Sequence, residues 1–309
     1  MIDFCEELLW EFVRAVEPTS TQKANAQRSH NYLRDILMTG NMEKRILGSY
    51  LSGSYARRTA IAPLDDVDVI ILIDPEHWKS GFLSAAPSAS AVLKTFERAI
   101  RYLYPESALR VQRRSIGLKL WRMDLDVVPA IPDSDDEDRI WVPDIDDDKW
   151  IVSAPRVHSQ AASAVNKARD NLFIPLVKLL KHWNTQLPST LQLKSFAIET
   201  LAVRIFQKVR FDSLVKGVLL FFDFIASFDG KAVERKWEDR FGVSLGYWGT
   251  PSIPDIAGTG SNLVGGMTED QRSRFIHKAV LTRDRIHDAL AARTEARAEA
   301  LLDKTLGFE

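Results

Sequence analysis

Cysteine and long apolar runs are nearly absent from this sequence, and each absence excludes a class of protein. Cys5 is the only cysteine among 309 residues, so neither a disulfide framework nor a cysteine-rich zinc site can form. The apolar runs at 176–180 and 218–222 are far shorter than the roughly 18 residues of a transmembrane helix and predict buried core. Because the sequence also shows no secretory signal, we expect a cytoplasmic protein with no membrane partner.

An excess of charge of either sign is lacking as well. The 41 lysines and arginines nearly balance the 42 aspartates and glutamates, for a net charge of -1 at pH 7. A broad basic surface for a nucleic-acid backbone is therefore not expected, and activation by nucleic acid is not indicated. Hydrophobic residues make up 45% and charged residues 27% of the chain, which is typical of a globular protein of one large or two modest domains.

The first half of the chain alternates between helical and strand patterns. Apolar residues at helical spacing predict helices at 2–17, 21–38 and 90–104. Alternating or continuous apolar residues predict strands at 67–73, 109–113, 115–121 and 123–128, and the segment 45–51 is either a short strand or a helix end. The strand at 67–73 is β-branched and nearly all apolar, so we expect it to be buried on both faces. Pro129 and Pro132 should end the last strand, and the acidic segment 133–148 should be a surface loop.

The second half of the chain is dominated by helical patterns. These patterns predict helices at 159–186, 194–209, 211–226 and 269–305. Pro175 should kink or split the first of them. The change near residue 150 predicts two domains, 1–150 and 151–309, with the helices of 1–38 free to pack on the second. The predicted fold class is α/β of the α+β kind, a small mixed sheet followed by a helical domain.

The clearest chemistry lies in the pair Gly53-Ser54 and in Asp66-Val67-Asp68, which begins the strongest strand. A glycine-serine turn lets backbone amides approach a phosphate, because glycine has no side chain in the way. Carboxylates at i and i+2 of a strand lie on one face, about 7 Å apart, and suit a divalent metal above a triphosphate. The alternative is a strand edge at which aspartates cap a turn.

A third carboxylate favours the metal interpretation. Asp126 lies in another short apolar strand, and it converges on Asp66 and Asp68 if that strand pairs with 67–73. Three carboxylates can support two magnesium ions, one on an attacking hydroxyl and one on a triphosphate. Asp124 shares the face of Asp126 but precedes the apolar stretch, so it is the weaker candidate.

Two glycine-serine pairs compete for the phosphate-binding role. Gly53-Ser54 is favoured over Gly48-Ser49 because it lies closer to Asp66 and is followed by Arg57 and Thr59, which join the candidate nucleotide-binding residues. Gly48-Ser49 is better explained as part of the strand that leads into the turn.

In this order, these motifs resemble the polymerase-beta-type nucleotidyltransferase superfamily. More narrowly, the chain is similar to the bacterial CD-NTases, the cGAS/DncV-like cyclic oligonucleotide synthases with a SMODS-type catalytic domain. The likeness extends over most of the chain, and the stretches that carry it are 52–61, 66–72, 125–130, 176–184 and 194–199. It implies a nucleotidyltransferase core and a helical domain with the active site in the cleft between them.

The resemblance also implies roles for individual residues. Asp66, Asp68 and Asp126 match the catalytic, metal-binding acidic triad of the family. Gly53 and Ser54 match the turn that contacts the donor triphosphate.

The second half of the chain contributes further matches. Lys181 and Ser195 match the lysine and serine that hold the donor phosphates, and Phe196 stands where the family often places an aromatic residue that stacks on a base. The alternatives are a solvated helix face for Lys178 and Lys181, and plain core for Phe196. Arg58 stands where the family usually has glycine.

The implied enzyme condenses nucleoside triphosphates (ATP, GTP or pyrimidine nucleotides) into a cyclic di- or oligonucleotide and releases pyrophosphate. Its implied cofactor is Mg²⁺ in a two-metal site, with Mn²⁺ as a substitute, so His158 and His182 are expected to be structural. The product would activate a downstream effector in CBASS-type anti-phage signalling. Two alternatives stay open: an RNA-end or protein-modifying enzyme of the same superfamily, and a non-catalytic nucleotide-binding module.

Overall fold

The computed structural model describes residues 1–39, 42–64, 66–78, 87–120, 123–228 and 253–308. The chain separates into a sheet-containing unit, Pro18–Ser159, and a helical unit that combines Met1–Glu17 with Gln160–Glu309. Of the N-terminal helices that were free to pack on the second domain, the first belongs with the C-terminal helices and the second with the sheet. The sheet unit ends at Ser159, whereas the sequence places the boundary near residue 150.

In the described part of the sheet unit, seven strands form one mixed sheet of order β1-β2-β5-β4-β3, with β6 pairing both β5 and β7. The strands are β1 (Ile46–Leu51), β2 (Asp66–Ile73), β3 (Ala108–Val111), β4 (Ile116–Lys119), β5 (Asp124–Pro132), β6 (Ile140–Asp144) and β7 (Lys149–Ser153). Only the β2–β5 pairing is parallel among these strands. The helices of this unit are α2 (Ser20–Thr39), the single turn α3 (Gly53–Ala56) and α4 (Ala89–Leu103).

The core of this unit lies between the sheet and its helices. Helix α4 begins where the Ser88 side chain accepts a hydrogen bond from the amide of Ala91, and it buries Phe96 and Ile100 against the sheet. Val69 and Ile71 of β2 join this core, whereas Ile70 packs on the other face beside β6. Burial of the β2 strand on both faces is thereby confirmed.

The segment after Pro129 differs from the prediction. Strand β5 continues through Pro129 to Pro132, because Pro129 pairs in register with Ile71 of β2. The segment 133–148 is not a loop throughout, since strand β6 (Ile140–Asp144) lies within it. Ile140 and Val142 are buried against the sheet, which outweighs the acidic composition that suggested a surface loop.

The helical unit is built from amphipathic helices around one apolar core. Its helices are α1 (Ile2–Ala15), α5 (Pro155–Ala168, which begins in the sheet unit), α6 (Phe173–Thr185), α7 (Ser195–Phe206), α8 (Leu214–Ala226), α9 (Glu269–Leu290) and α10 (Glu295–Leu306). Trp183 lies within this core and makes T-shaped ring contacts with Phe222 and Phe275. Its indole N–H donates a hydrogen bond to the hydroxyl of Thr282. No helix among the described residues has both the length and the apolar character needed to cross a bilayer.

Two long helical predictions are each divided in the structure. The predicted helix 159–186 is interrupted at Asp170 and Asn171, which have left-handed backbone angles. Pro175 lies in the first turn of α6, where the missing backbone N–H of proline is tolerated. The segment 269–305 is divided where Thr294 caps a new helix, α10. Pro251, Pro254 and the glycines between 246 and 266 predict a loop, and residues 246–252 of that loop lie outside the described residues.

A buried carboxylate fixes the hairpin between β3 and β4 to β6. The Asp144 side chain is only 1% exposed, and it accepts a hydrogen bond of 2.8 Å from Nε of Arg113. Nη2 of Arg114 lies 3.7 Å from its second oxygen, and the amide of Ile145 donates to the carbonyl of Arg113. The hydrogen bond from Arg113, with the positive charges of both arginines, lowers the pKa of Asp144.

We expect Asp144→Asn to lower the free energy of unfolding at pH 7 by roughly 1 to 3 kcal/mol, because it weakens a charge-assisted hydrogen bond to a buried group. The lowered pKa means that this contribution is present above the ordinary carboxyl pKa of about 4 and is lost as the pH falls from there. Urea unfolding from pH 7 downward measures both effects. Asp146→Asn is the matched control, since Asp146 contacts the same arginine but is 59% exposed. Equal losses in the two variants would contradict the role of burial.

Candidate active site

A cross-strand row of carboxylates follows directly from the register of β2 and β5. In this parallel pair Asp68 lies opposite Asp126, and Asp66 lies opposite Asp124. Residues that are directly opposite in a sheet point to the same face, so these four side chains share one face. The predicted pairing of the Asp126 strand with the Asp66–Asp68 strand is confirmed. Asp66 is exposed, whereas Asp68 and Asp126 are partly buried.

The carboxylates disfavour one another's ionised forms. Partial burial, followed by the negative charges of Asp66 and Asp126, raises the pKa of Asp68 to about 6, against the opposing charge of Arg57. Burial and the charge of Asp66 also raise the pKa of Asp126, while a hydrogen bond from Gln112 opposes this rise. A divalent cation at this face would relieve the repulsion.

The donor set fits a hard divalent metal, because carboxylate oxygens are the ligands that Mg²⁺ prefers. Within the described ranges, no group of three His, Cys, Asp or Glu side chains stands close enough together to hold a metal ion as placed. The backbone therefore positions the carboxylates in one row, while their side chains as placed do not gather around one point.

Gly53 borders this row so closely that no other residue fits. Its φ is +65°, and a Cβ at this position would lie 1.7 Å from Oδ2 of Asp68. The amide of Ser52 donates to the carbonyl of Asp68 at 2.8 Å, which ties the turn to β2. The turn and the carboxylate thus occupy adjoining space. By contrast, Gly48 lies within β1 with nothing within 4 Å of a hypothetical Cβ, as expected for part of the leading strand.

The residues that follow Gly53 in the chain have different structural roles. The carbonyl of Ser54 accepts hydrogen bonds from the amides of Thr59 and Ala60 at 2.9 and 3.1 Å, and the hydroxyl of buried Thr59 lies 3.5 Å from it. Through these contacts, Thr59 closes the turn that begins at Gly53. Arg58 is exposed with φ of 62°, a left-handed conformation that the family's usual glycine adopts without strain.

Lys181, Ser195 and Phe196 lie in the helical unit. Lys181, on α6, has its ammonium 3.3 Å from the carboxylate of Glu199 on α7, and both side chains are 3% exposed. Lys178 is likewise buried and forms an ion pair with Glu17. The solvated-face alternative for the two lysines is therefore wrong. Ser195 is exposed at the first position of α7, and Phe196 beside it is partly buried.

The histidines and the cysteine show structural contacts. His158 is buried, and Nε2 of His182 donates to the carbonyl of Gly307 at 2.9 Å. Cys5 is buried in α1, and that burial raises the pKa of its thiol.

Sequence reasoning missed one side chain that touches the carboxylate row. Nε2 of Gln112, just after β3, donates to Oδ1 of Asp126 at 2.9 Å. Strand alternation alone does not reveal this contact, because it depends on how the β3–β4 hairpin registers with β5.

Comparison with known families and curated proteins agrees with this geometry. A family model described as the Second Messenger Oligonucleotide or Dinucleotide Synthetase domain matches residues 5–166. The chain is 28% identical over 305 residues to a cyclic AMP-AMP-AMP synthase of Acinetobacter sp., with 94% of this chain and 81% of that protein covered. It is 25% identical over 183 residues to a cyclic UMP-AMP synthase of Rhodothermus marinus, with 52% and 63% covered.

Solved structures show the same fold. The structure of Escherichia coli MS115-1 CdnC with ATP matches with a TM-score of 0.76 at 21% identity, covering 98% of this chain and 97% of that one. The cyclic AMP-GMP synthase DncV of Vibrio cholerae matches with a TM-score of 0.62 at 14% identity, covering 84% and 68%. At these identities the likeness establishes the fold alone, and the predicted α/β fold class is confirmed. Because the family model covers just over half of its residues, the chain belongs to the second messenger oligonucleotide or dinucleotide synthetases, the bacterial CD-NTases.

Proposed function

We propose that this cyclic nucleotide synthase joins nucleoside triphosphates by attack of a ribose hydroxyl on an α-phosphate, releases pyrophosphate, and closes a cyclic di- or oligonucleotide in a further round. The observation that carries the proposal is the row of Asp66, Asp68 and Asp126 on one face of the sheet, in the register of a parallel strand pair. A non-catalytic nucleotide-binding module has no need of three mutually repelling carboxylates.

The family generally uses divalent metals, and we propose that Asp66, Asp68 and Asp126 hold two Mg²⁺ ions, with Mn²⁺ able to replace them. When bound, the metal supplies positive charge that polarises the α-phosphate and activates the attacking hydroxyl. The raised pKa values of Asp68 and Asp126 support this assignment, since burial and the neighbouring negative charges both disfavour the ionised carboxylates and a bound cation would favour them.

The turn that follows β1 contributes a close approach to the donor phosphates. Gly53 leaves to the Asp68 carboxylate the space that a side chain would fill, and its bare backbone is proposed to approach the donor phosphates beside that carboxylate. Ser54 and Arg57 are proposed to contact the same phosphates, Arg57 by its charge. Thr59 is proposed to act there by holding the Ser54 carbonyl rather than by reaching the ligand.

From the helical unit we propose Lys181 and Ser195 as phosphate contacts and Phe196 as a base-stacking residue. Lys181 is a buried cation paired with Glu199, and a lysine suits phosphate binding because its ammonium is a mobile point charge. Ser195 offers an exposed hydroxyl at the start of a helix, where phosphate binding is favourable.

We propose ATP as a substrate, because two similar proteins are named as synthases of products that contain AMP. The cyclic product is proposed to act in the cytoplasm on a separate effector in anti-phage signalling. Incubation with Mg²⁺ and all four ribonucleoside triphosphates, followed by phosphatase treatment and chromatography, tests the proposal. A cyclic product survives phosphatase without losing phosphate, whereas a linear product loses its terminal phosphates. Linear products alone, or added nucleotides on RNA, would favour the other enzymes of the superfamily.

We expect Asp68→Asn to reduce pyrophosphate release roughly 100-fold or more, because a lost metal ligand removes several kcal/mol of charge stabilisation. A coupled pyrophosphate assay measures the rate. Asp135→Asn, a change on the exposed acidic segment, is the control and should retain the wild-type rate. Undiminished turnover in Asp68→Asn would contradict the proposed role of the row.

We expect Gly53→Ala to lower pyrophosphate release about 100-fold, because the added methyl group displaces the Asp68 carboxylate and a shift of about 1 Å suffices for such a loss. The left-handed backbone adds a cost of roughly 1 kcal/mol to folding. Gly48→Ala is the matched control, since a Cβ there meets nothing within 4 Å. If both variants retained the wild-type rate, the close approach of the Gly53 turn to the Asp68 carboxylate would not be required for catalysis.

A further inference from the structure

The side chain of Gln112 contacts the carboxylate row by crossing over strand β4. Gln112 follows β3, and its Nε2 lies 2.9 Å from Oδ1 of Asp126 on β5. Strand β4 lies between β3 and β5, so the glutamine side chain crosses a whole strand to make this contact.

The crossing depends on a glycine. Gly117 of β4 lies directly opposite Asp126 in the antiparallel register. A Cβ on Gly117 would lie 2.8 Å from Nε2 of Gln112 and 3.4 Å from Oδ1 of Asp126. The space above Gly117 is therefore filled by the glutamine amide, and the absence of a side chain at this position permits the hydrogen bond.

The backbone of Gln112 is itself held in place. Its amide donates to the carbonyl of Ser115 at 2.8 Å, which closes the hairpin turn. The next residue, Arg113, is fixed to buried Asp144 by its guanidinium and to the amide of Ile145 by its carbonyl. The glutamine amide is thus presented from a rigid support and loses little freedom when it binds Asp126.

An ionised carboxylate can only accept hydrogen bonds, so the amide NH₂ of Gln112 is the group that faces Asp126. With Oδ1 engaged, Oδ2 is the oxygen left for a cation. We propose that Gln112 is a positioning residue, and this inference rests on the proposed function. The hydrogen bond from Gln112 to Oδ1 holds the Asp126 carboxylate so that Oδ2 faces the divalent metal. Hydrogen-bonded partners of metal ligands commonly set the orientation and affinity of a site in this way.

Titration of the metal-free protein with Mn²⁺ tests this proposal without any turnover. The electron paramagnetic resonance signal of free Mn²⁺ shows how much of the metal is bound. We expect Gln112→Met, which keeps the length of the side chain but cannot donate, to weaken Mn²⁺ binding about 10-fold. The melting temperature of the metal-free variant should stay at the wild-type value. In steady-state assays kcat should fall at sub-saturating Mg²⁺ and recover in part at high Mg²⁺, with KM for ATP little changed.

Gly117→Ala supplies an independent test, because it displaces the amide while Gln112 remains. We expect it alone to weaken Mn²⁺ binding by about the same factor as Gln112→Met. The double variant should also be about 10-fold weaker rather than about 100-fold, since both changes remove one hydrogen bond. The exposed glutamine Gln207, changed to methionine, serves as the control and should leave Mn²⁺ binding unchanged.

Unaltered Mn²⁺ affinity in Gln112→Met, or additive losses in the double variant, would overturn the inference while leaving the proposed function intact. A lowered melting temperature with unaltered Mn²⁺ affinity would likewise overturn it, in favour of a purely structural role. If the wild-type protein neither binds Mn²⁺ nor releases pyrophosphate, the proposed function itself fails.

Discussion

The parallel pairing of β2 with β5 is the constraint on which the candidate site depends. One register places Asp68 beside Asp126 and Asp66 beside Asp124. A slip by one residue would turn one of the two strands over and separate the carboxylates onto opposite faces. The apolar residues between the carboxylates prevent this slip, because Val67 and Leu125 must enter the main core. The core that stabilises the sheet is therefore also what aligns the charged row.

Much of this row was predictable from the sequence, because it depends on local patterns. Strand alternation gave the faces of Asp66, Asp68 and Asp126, and the apolar run predicted a buried, central β2. Strand β6 was missed because part of the negative charge that suggested a loop is neutralised by residues from elsewhere in the chain. Asp144 is paired with Arg113 and Arg114, about thirty positions earlier in the chain, and no local pattern contains that information.

The contacts of single side chains across the fold were the least predictable part. The burial of Lys181 depends on Glu199 one helix later, and a sequence pattern cannot distinguish this pair from two residues on a solvated face. A buried pair of this kind is costly to desolvate, so its presence is weak evidence for stability. The contact of Gln112 with Asp126 has the same origin, because it requires the registers of two strand pairs at once.

The discontinuous composition of the helical unit has a consequence for how the chain folds during synthesis. Helix α1 is translated before the sheet unit, but the residues that cover Leu9 and Phe12 are translated after it. The sheet unit is one continuous segment and can fold as soon as it leaves the ribosome. Until the later helices are made, the apolar face of α1 has no partner within its own unit. The nascent chain therefore carries an apolar segment without its partners throughout the synthesis of the sheet, and it is in this interval that a chaperone would have most to bind.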